Sequence, residues 1–161
     1  MSDFVFNIAK GSVAGYYDRV KSNVVSTSAL VIVAIKTTGI EADATLQDYD
    51  DLATLLAAAN DEATNTGYAR KVLDDTVITA TLAASVDDTN NWVLLKVPDQ
   101  TWSAVQATGG AWSKLLICYD NDTGGGTDSN IIPLTAHDFV VTPDGSDIVA
   151  QIATNGFFKA S

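Results

Sequence analysis

Residues 115–119 read Leu-Leu-Ile-Cys-Tyr, and after a loop of Asp, Asn, Thr and Gly the chain resumes with Ile131-Ile132-Pro133-Leu134. An apolar run with no polar interruption is satisfied only by burial on both faces, and the turn residues flanking it hold it to strand length. The run therefore predicts a central strand over residues 112–119, with the polar loop at the surface. A second run, residues 29–36, is rich in β-branched residues and too short for a typical helix, so it predicts another buried strand. It is also the longest apolar stretch and falls far short of the roughly 20 residues that cross a bilayer, so no membrane is expected as partner.

Around these strands the pattern is mostly β. Residues 3–8 alternate in part, as a short strand or as an extended arm laid on a neighbouring surface. Residues 68–73 and 76–82 read as two strands of a hairpin turning at Asp74-Asp75, and residues 92–97 as a strand that Pro98 ends or places at an edge. Residues 101–105 form a short alternation. Residues 138–142 and 148–153 flank Pro143-Asp144-Gly145-Ser146 and predict a second hairpin.

Two stretches have helical spacing. Val13, Tyr16, Tyr17 and Val20 predict a short helix over residues 12–21. A longer helix is expected over 45–60, capped by Asp43 or Thr45, with Leu46, Tyr49, Leu52, Leu55 and Leu56 on one face and Asp48 spoiling its edge. The expected class is mainly β (α+β): an antiparallel sandwich or jelly-roll-like core with one firm helix. At 161 residues a single domain, 1–161, is the default, with 1–28 as an N-terminal arm and short helix and 29–161 as the sandwich body.

The formal charge of −11 comes from 20 acids against 9 bases, and all but Glu41 and Glu62 of those acids are aspartates, which favour turns and caps. Only Arg19 and Arg70 are arginines, so the clustered cations that neutralise phosphates are lacking and nucleic acid is not an expected partner. Cys118 is the only cysteine and sits inside the apolar run, which excludes an intrachain disulfide and predicts a buried, inert thiol. The first residues, Met1-Ser2-Asp3-Phe4, do not pair a cationic segment with a sustained apolar one, so synthesis and folding in a cytoplasm are expected.

No pattern amounts to a catalytic centre or a cofactor fingerprint. Asp120, Asp122 and Asp128 surround Gly124-Gly125-Gly126 and are the weak metal candidates, since a hard cation takes alternate oxygens from such a loop. The order fails the EF-hand pattern, and a loop whose Asp side chains bond their own backbone explains it better. His137-Asp138 with Ser129 or Cys118 as nucleophile lacks a nucleophile elbow, and a thiol in an apolar strand is unreactive. Trp92, Trp102 and Trp112 offer either a glycan-stacking platform or core residues, the second fitting successive strands better. Asp48, Asp50 and Asp51, with Asp74-Asp75 and Asp87-Asp88, are better explained by turns and a wet helix face than by paired catalytic carboxylates.

Asp3-Phe4-Val5-Phe6-Asn7-Ile8-Ala9-Lys10-Gly11, the stretch Gly39-Ile40-Glu41-Ala42-Asp43-Ala44-Thr45-Leu46 and Asp50-Asp51-Leu52-Ala53 together resemble a family of small tailed-bacteriophage proteins. The C-terminal half resembles it too, in Leu115-Leu116-Ile117-Cys118-Tyr119-Asp120, Ser129-Asn130-Ile131-Ile132-Pro133-Leu134-Thr135, Asp138-Phe139, Thr142-Pro143-Asp144-Gly145-Ser146-Asp147 and Gly156-Phe157-Phe158. The resemblance covers most of the chain and rests on turn and strand signatures. It implies a virion structural protein assembled in the host cytoplasm, a decoration or cement protein on the capsid surface whose partner is the major capsid protein, and it brings no catalytic residue. A homo-oligomer, as a trimer, is the expected state, with Phe4, Phe6, Ile8, Phe157 and Phe158 as subunit contacts. A station in the tail, neck or fibre and a glycan-binding module are the alternatives.

Overall fold

The computed structural model describes residues 2–81, 86–153 and 156–160. In chain order the elements are β1 (Phe4–Val5), a 3-10 turn (Asn7–Ala9), α1 (Val13–Lys21), β2 (Ala29–Lys36), α2 (Asp43–Leu46), α3 (Leu52–Ala57), β3 (Lys71–Leu73) and α4 (Asp75–Thr81). There follow β4 (Val86–Asp87), β5 (Trp92–Leu95), β6 (Gln100–Trp102), β7 (Trp112–Asp120), a 3-10 turn (Asp128–Asn130), β8 (Ile132–Val141), β9 (Ile148–Ala150) and β10 (Phe158–Ala160).

The apolar run does organise the molecule. β7 is buried at every position and is the middle strand of a five-stranded antiparallel sheet ordered β1-β8-β7-β2-β3. β2, the second run, pairs beside it, Val31 opposite Cys118. Two small sheets, β10-β5-β4 and β6-β9, complete a mostly antiparallel α+β fold, with no closed barrel among the described residues. One continuous core, from Phe6 to Phe157, joins all parts of the chain. Residues 2–28 belong to that body: they supply β1 to the main sheet and bury Phe6, Ala9, Val13, Tyr17 and Val20. The helix expected over 12–21 is α1.

The pairing of β7 slips against β8 and β2 around Ser113, between Trp112 and Lys114 on one side and Ile35 and Lys36 on the other. A bulge re-aims the side chains beside it. Trp112 packs against Tyr68 and Trp102, whereas Lys114 faces Phe4, Asp43 and Asp138. A second slip in the β7–β8 pairing, between Ile117 and Cys118, brings Pro133 opposite Cys118, the kind of irregularity where a residue with no amide to donate is tolerated.

Three sequence expectations are corrected. The helix over 45–60 is two short helices, α2 and α3, separated by residues 47–51. Asp51 takes extended backbone and its carboxylate accepts the Thr54 amide at 2.8 Å, so it starts a new helix, while the Leu52 amide is taken by the Ile131 carbonyl. The strand over 76–82 is instead the helix α4, and no hairpin forms there; Leu82 lies outside the described residues. Asp74 is the reason, because its carboxylate accepts from the Val77 amide at 3.0 Å and the Thr76 hydroxyl at 2.7 Å, and Thr79 bonds back to the Asp75 carbonyl. The hairpin over 138–153 does not form either. Residues 138–141 continue β8, and β9 crosses to pair with β6 in another sheet.

Candidate functional site

The two ends of the described chain meet at one place. β1 is an outer strand of the five-stranded sheet and β10 an outer strand of the three-stranded sheet. Between them lies an open cleft of about 230 Å³, walled by Phe4 and Val5 on one side, Phe157 and Phe158 on the other, and His137 of β8. The His137 ring meets Phe157 edge-on at 6.4 Å, and Phe157 rests on Tyr17 of α1 at 6.1 Å.

Of the five expected contact residues, the structure gathers three at this cleft and separates two. Phe4 and Phe158 line it half-buried, and Phe157 lines it at only 9% exposure. Phe6 is a correction: at 0% exposure, with its ring 5.1 Å from Phe4, it serves the chain's own core and is closed to a neighbour. Ile8 is 42% exposed and lies outside the cleft.

Behind Phe4 sits a cluster that the sequence reading missed. Lys114 is wholly buried, yet its ammonium is 2.5 Å from Asp138 Oδ1, 3.1 Å from the Ser2 carbonyl and 5.3 Å from the centre of the Phe4 ring. Asp43 Oδ1 lies 3.2 Å away, an ion-pair contact without a well-directed hydrogen bond. Carboxylates also hold the N-terminal segment. Asp43 Oδ2 accepts the Ser2 amide at 2.7 Å, and Asp3 accepts the Asp138 amide at 2.9 Å and contacts His137 Nδ1 at 3.1 Å. A lone lysine at the start of an otherwise apolar strand was the available signal, since a buried ammonium requires anionic partners.

Burial pushes the Asp3 and Asp43 carboxyls upward, but other contacts outweigh it. For Asp3 these are the Asp138 amide and then His137, with Lys114 adding to them; for Asp43 they are the Ser2 amide and Lys114. Both carboxyls end below the ordinary carboxylate value, as does Asp128 through its hydrogen bonds to Arg70. Depressed folded values mean that the stabilisation is present above the unfolded carboxylate pKa of about 4 and is lost as pH falls through the folded values. We therefore expect a urea midpoint that is level from about pH 7 to 5 and falls below about pH 4, with the amides of residues 3–6 losing exchange protection before those of β7. A midpoint that rises on acidification would contradict this.

The other candidates disperse. Asp120 bonds the Asp122 amide and Asp122 bonds the Gly124 amide, as turn aspartates do, while Asp128 is clamped by Arg70 at 2.6 Å together with Glu62. Among the described residues no three His, Cys, Asp or Glu side chains converge as a metal site. His137 bonds Asp3 and Thr135, Ser129 bonds Thr127, and Cys118 is fully buried with its thiol pushed up by burial. Trp102 and Trp112 are core residues at 1% and 0% exposure, so the three indoles make no stacking platform. Half-buried Trp92 has its face covered by the Lys159 ammonium at 3.5 Å. Asp51 and Asp74 are helix caps, and Asp48 accepts from the Asn7 side chain. No helix among the described residues is long and apolar enough to cross a membrane. No protein-family model, curated protein or solved structure matches the chain.

Proposed function

We infer that the protein is a structural component of a tailed-phage virion, a decoration or cement protein on the outer capsid surface that bridges neighbouring copies of the major capsid protein and carries no catalysis. The observation that bears most weight is the cleft between β1 and β10, where half-buried Phe4 and Phe158 stand on two unpaired sheet edges. Half-buried aromatic surface beside outer strands is what an attachment face offers. The sequence resemblance to small tailed-phage proteins supplies the partner, and the charge of −11 suits the outer shell face rather than the DNA-facing one. A sandwich-like stack of the small sheets on the large one, and a trimer at threefold positions of the shell, belong to the same reading.

The test uses particles stripped of the protein and then offered purified chain. Phe4→Ser with Phe158→Ser is expected to reduce occupancy about tenfold, as loss of central aromatic anchors does, while the protein alone still melts cooperatively. Undiminished occupancy would refute the use of this face, and density at the tail, neck or a fibre in a particle reconstruction would replace the capsid station.

A further inference from the structure

The other edge of the main sheet is a contact face of a different kind. β3 is the outer strand there, and Val72 at its middle is 51% exposed. On the side of β2 away from β7, the Ala34 amide donates to the Tyr68 hydroxyl at 3.0 Å and the Ala34 carbonyl accepts the Ala63 amide at 2.8 Å. Backbone groups alternate sides along a strand, so Ile32 and Leu30 also face β3 and form the bonded pairs with Lys71 and Leu73. Val31 and Val72 are the non-bonded pair between them, which turns the Val72 N–H and C=O outward from the sheet. No hydrogen bond from elsewhere among the described residues reaches these two groups.

We propose that β3 is a twofold contact between copies of this chain: two β3 edges pair antiparallel, Val72 opposite Val72 of the second copy, and join two main sheets into one. The residues around Val72 select this occupant. Residues 70–75 read Arg-Lys-Val-Leu-Asp-Asp, cationic before the apolar pair and anionic after it. Charges on an outer strand prevent pairing when like meets like. Here a twofold axis through Val72 sets Arg70 beside Asp74 of the second copy and Lys71 diagonal to its Asp75, so opposite signs meet on both sides of the axis. Lys71 holds only the Thr101 carbonyl and the Trp102 ring in its own chain, with no carboxylate among the described residues. Arg70 gives four of its five N–H groups to Glu62 and Asp128 and leaves one on Nη1 unused. Sliding the pair by two residues would set Lys71 against Lys71 of the second copy, so charge also fixes the register. The net charge of −11 opposes approach at long range, but exposed charges are screened beyond about 8 Å at physiological salt. This contact is independent of the shell reading.

Sedimentation of the whole protein in about 0.15 M salt tests this, with the dimer share expected to rise across a roughly 100-fold concentration series. Val72→Pro removes the outward amide without removing a β2–β3 bond, and should stay monomeric at the highest concentration while its thermal transition persists. Val72→Cys gives an independent readout. A bonded antiparallel pair holds its Cα atoms about 5.5 Å apart, within disulfide range, and the native Cys118 is buried. Under mild oxidation Val72→Cys should form a covalent dimer about tenfold faster than Val140→Cys, although Val140 is 81% exposed and Val72 only 51%. A monomer at every concentration, equal oxidation rates of the two cysteine variants, or an oligomer that Val72→Pro leaves intact overturns the proposal.

Discussion

Changing Asp43 and Asp138 together to asparagine should cost about 3 kcal/mol of folding stability, the lower end of what losing the partners of a buried charge costs. Lys114 has 0% of its side chain exposed, and these two carboxylates lie 3.2 and 2.5 Å from its ammonium. Without their charges the cation keeps only neutral partners, the asparagine oxygens, the Ser2 carbonyl at 3.1 Å and the face of Phe4. The lower end applies because Asp43 and Asp138 themselves are 22% and 35% exposed, so water already screens one side of the cluster. Lys114→Met is the informative contrast. It fills similar volume, removes the buried charge and leaves two carboxylates that reach water, so it should change stability by less than about 1.5 kcal/mol. Urea denaturation at neutral pH compares them, and equal losses would show that packing of the lysine stem, rather than charge pairing, holds this corner.

Trp112→Ala should be as damaging or more, at about 3–5 kcal/mol, the range for removing a large buried aromatic. Trp112 has 0% exposure, meets Trp102 and Tyr68 edge-on at 5.4 and 5.3 Å, and donates its indole N–H to Asn65 Oδ1 at 2.8 Å. Asn65 is itself buried and ties the passing loop through the Gln106 and Gly110 carbonyls. The approach there is close: Gly109, at a φ of +121°, has no room for a Cβ, which would stand 2.7 Å from the Asn65 amide nitrogen. Trp112→Phe should fall between, at about 1–3 kcal/mol, because it keeps a ring but orphans the Asn65 oxygen. Trp92→Ala, at a half-buried site with one cation on its face, should cost only about 1 kcal/mol. If Trp92 proved the costlier loss, the core would be centred on the wrong sheet.

What was legible in the sequence follows the strength of the apolar signal. β2 and β7 are uninterrupted runs with no other way to be satisfied, and α1 carries its period across Val13, Tyr17 and Val20, all buried. The failures share a cause, which is aspartate acting as a cap. Asp51 and Asp74 each start a helix by accepting an amide three residues on, one interrupting a helical period and the other overriding the strand-like alternation of residues 76–82. The expected hairpin had correct turn chemistry at residues 143–146, but turn chemistry does not choose a strand's partner: residues 138–141 extend the pairing of β8 with β7, and β9 pairs with β6. At the cleft, the aromatic residues near both ends were visible as contacts seeking a surface. That Phe6 turns inward, and that Lys114 gathers Asp43 and Asp138 around the N-terminal strand, depends on separations of tens of residues that periodicity does not encode.

Cys118 gives the molecule a built-in clock. It is the only sulfhydryl in the chain, and it lies two residues before the end of the central strand with Val31 on one flank and Pro133 on the other. A small alkylating reagent reaches it only when the packing around this strand opens, so the labelling rate counts openings of the main sheet and not fraying of the chain termini. Attachment that stiffens the whole body would slow that clock, whereas attachment that merely grips the cleft would leave it running at the same rate.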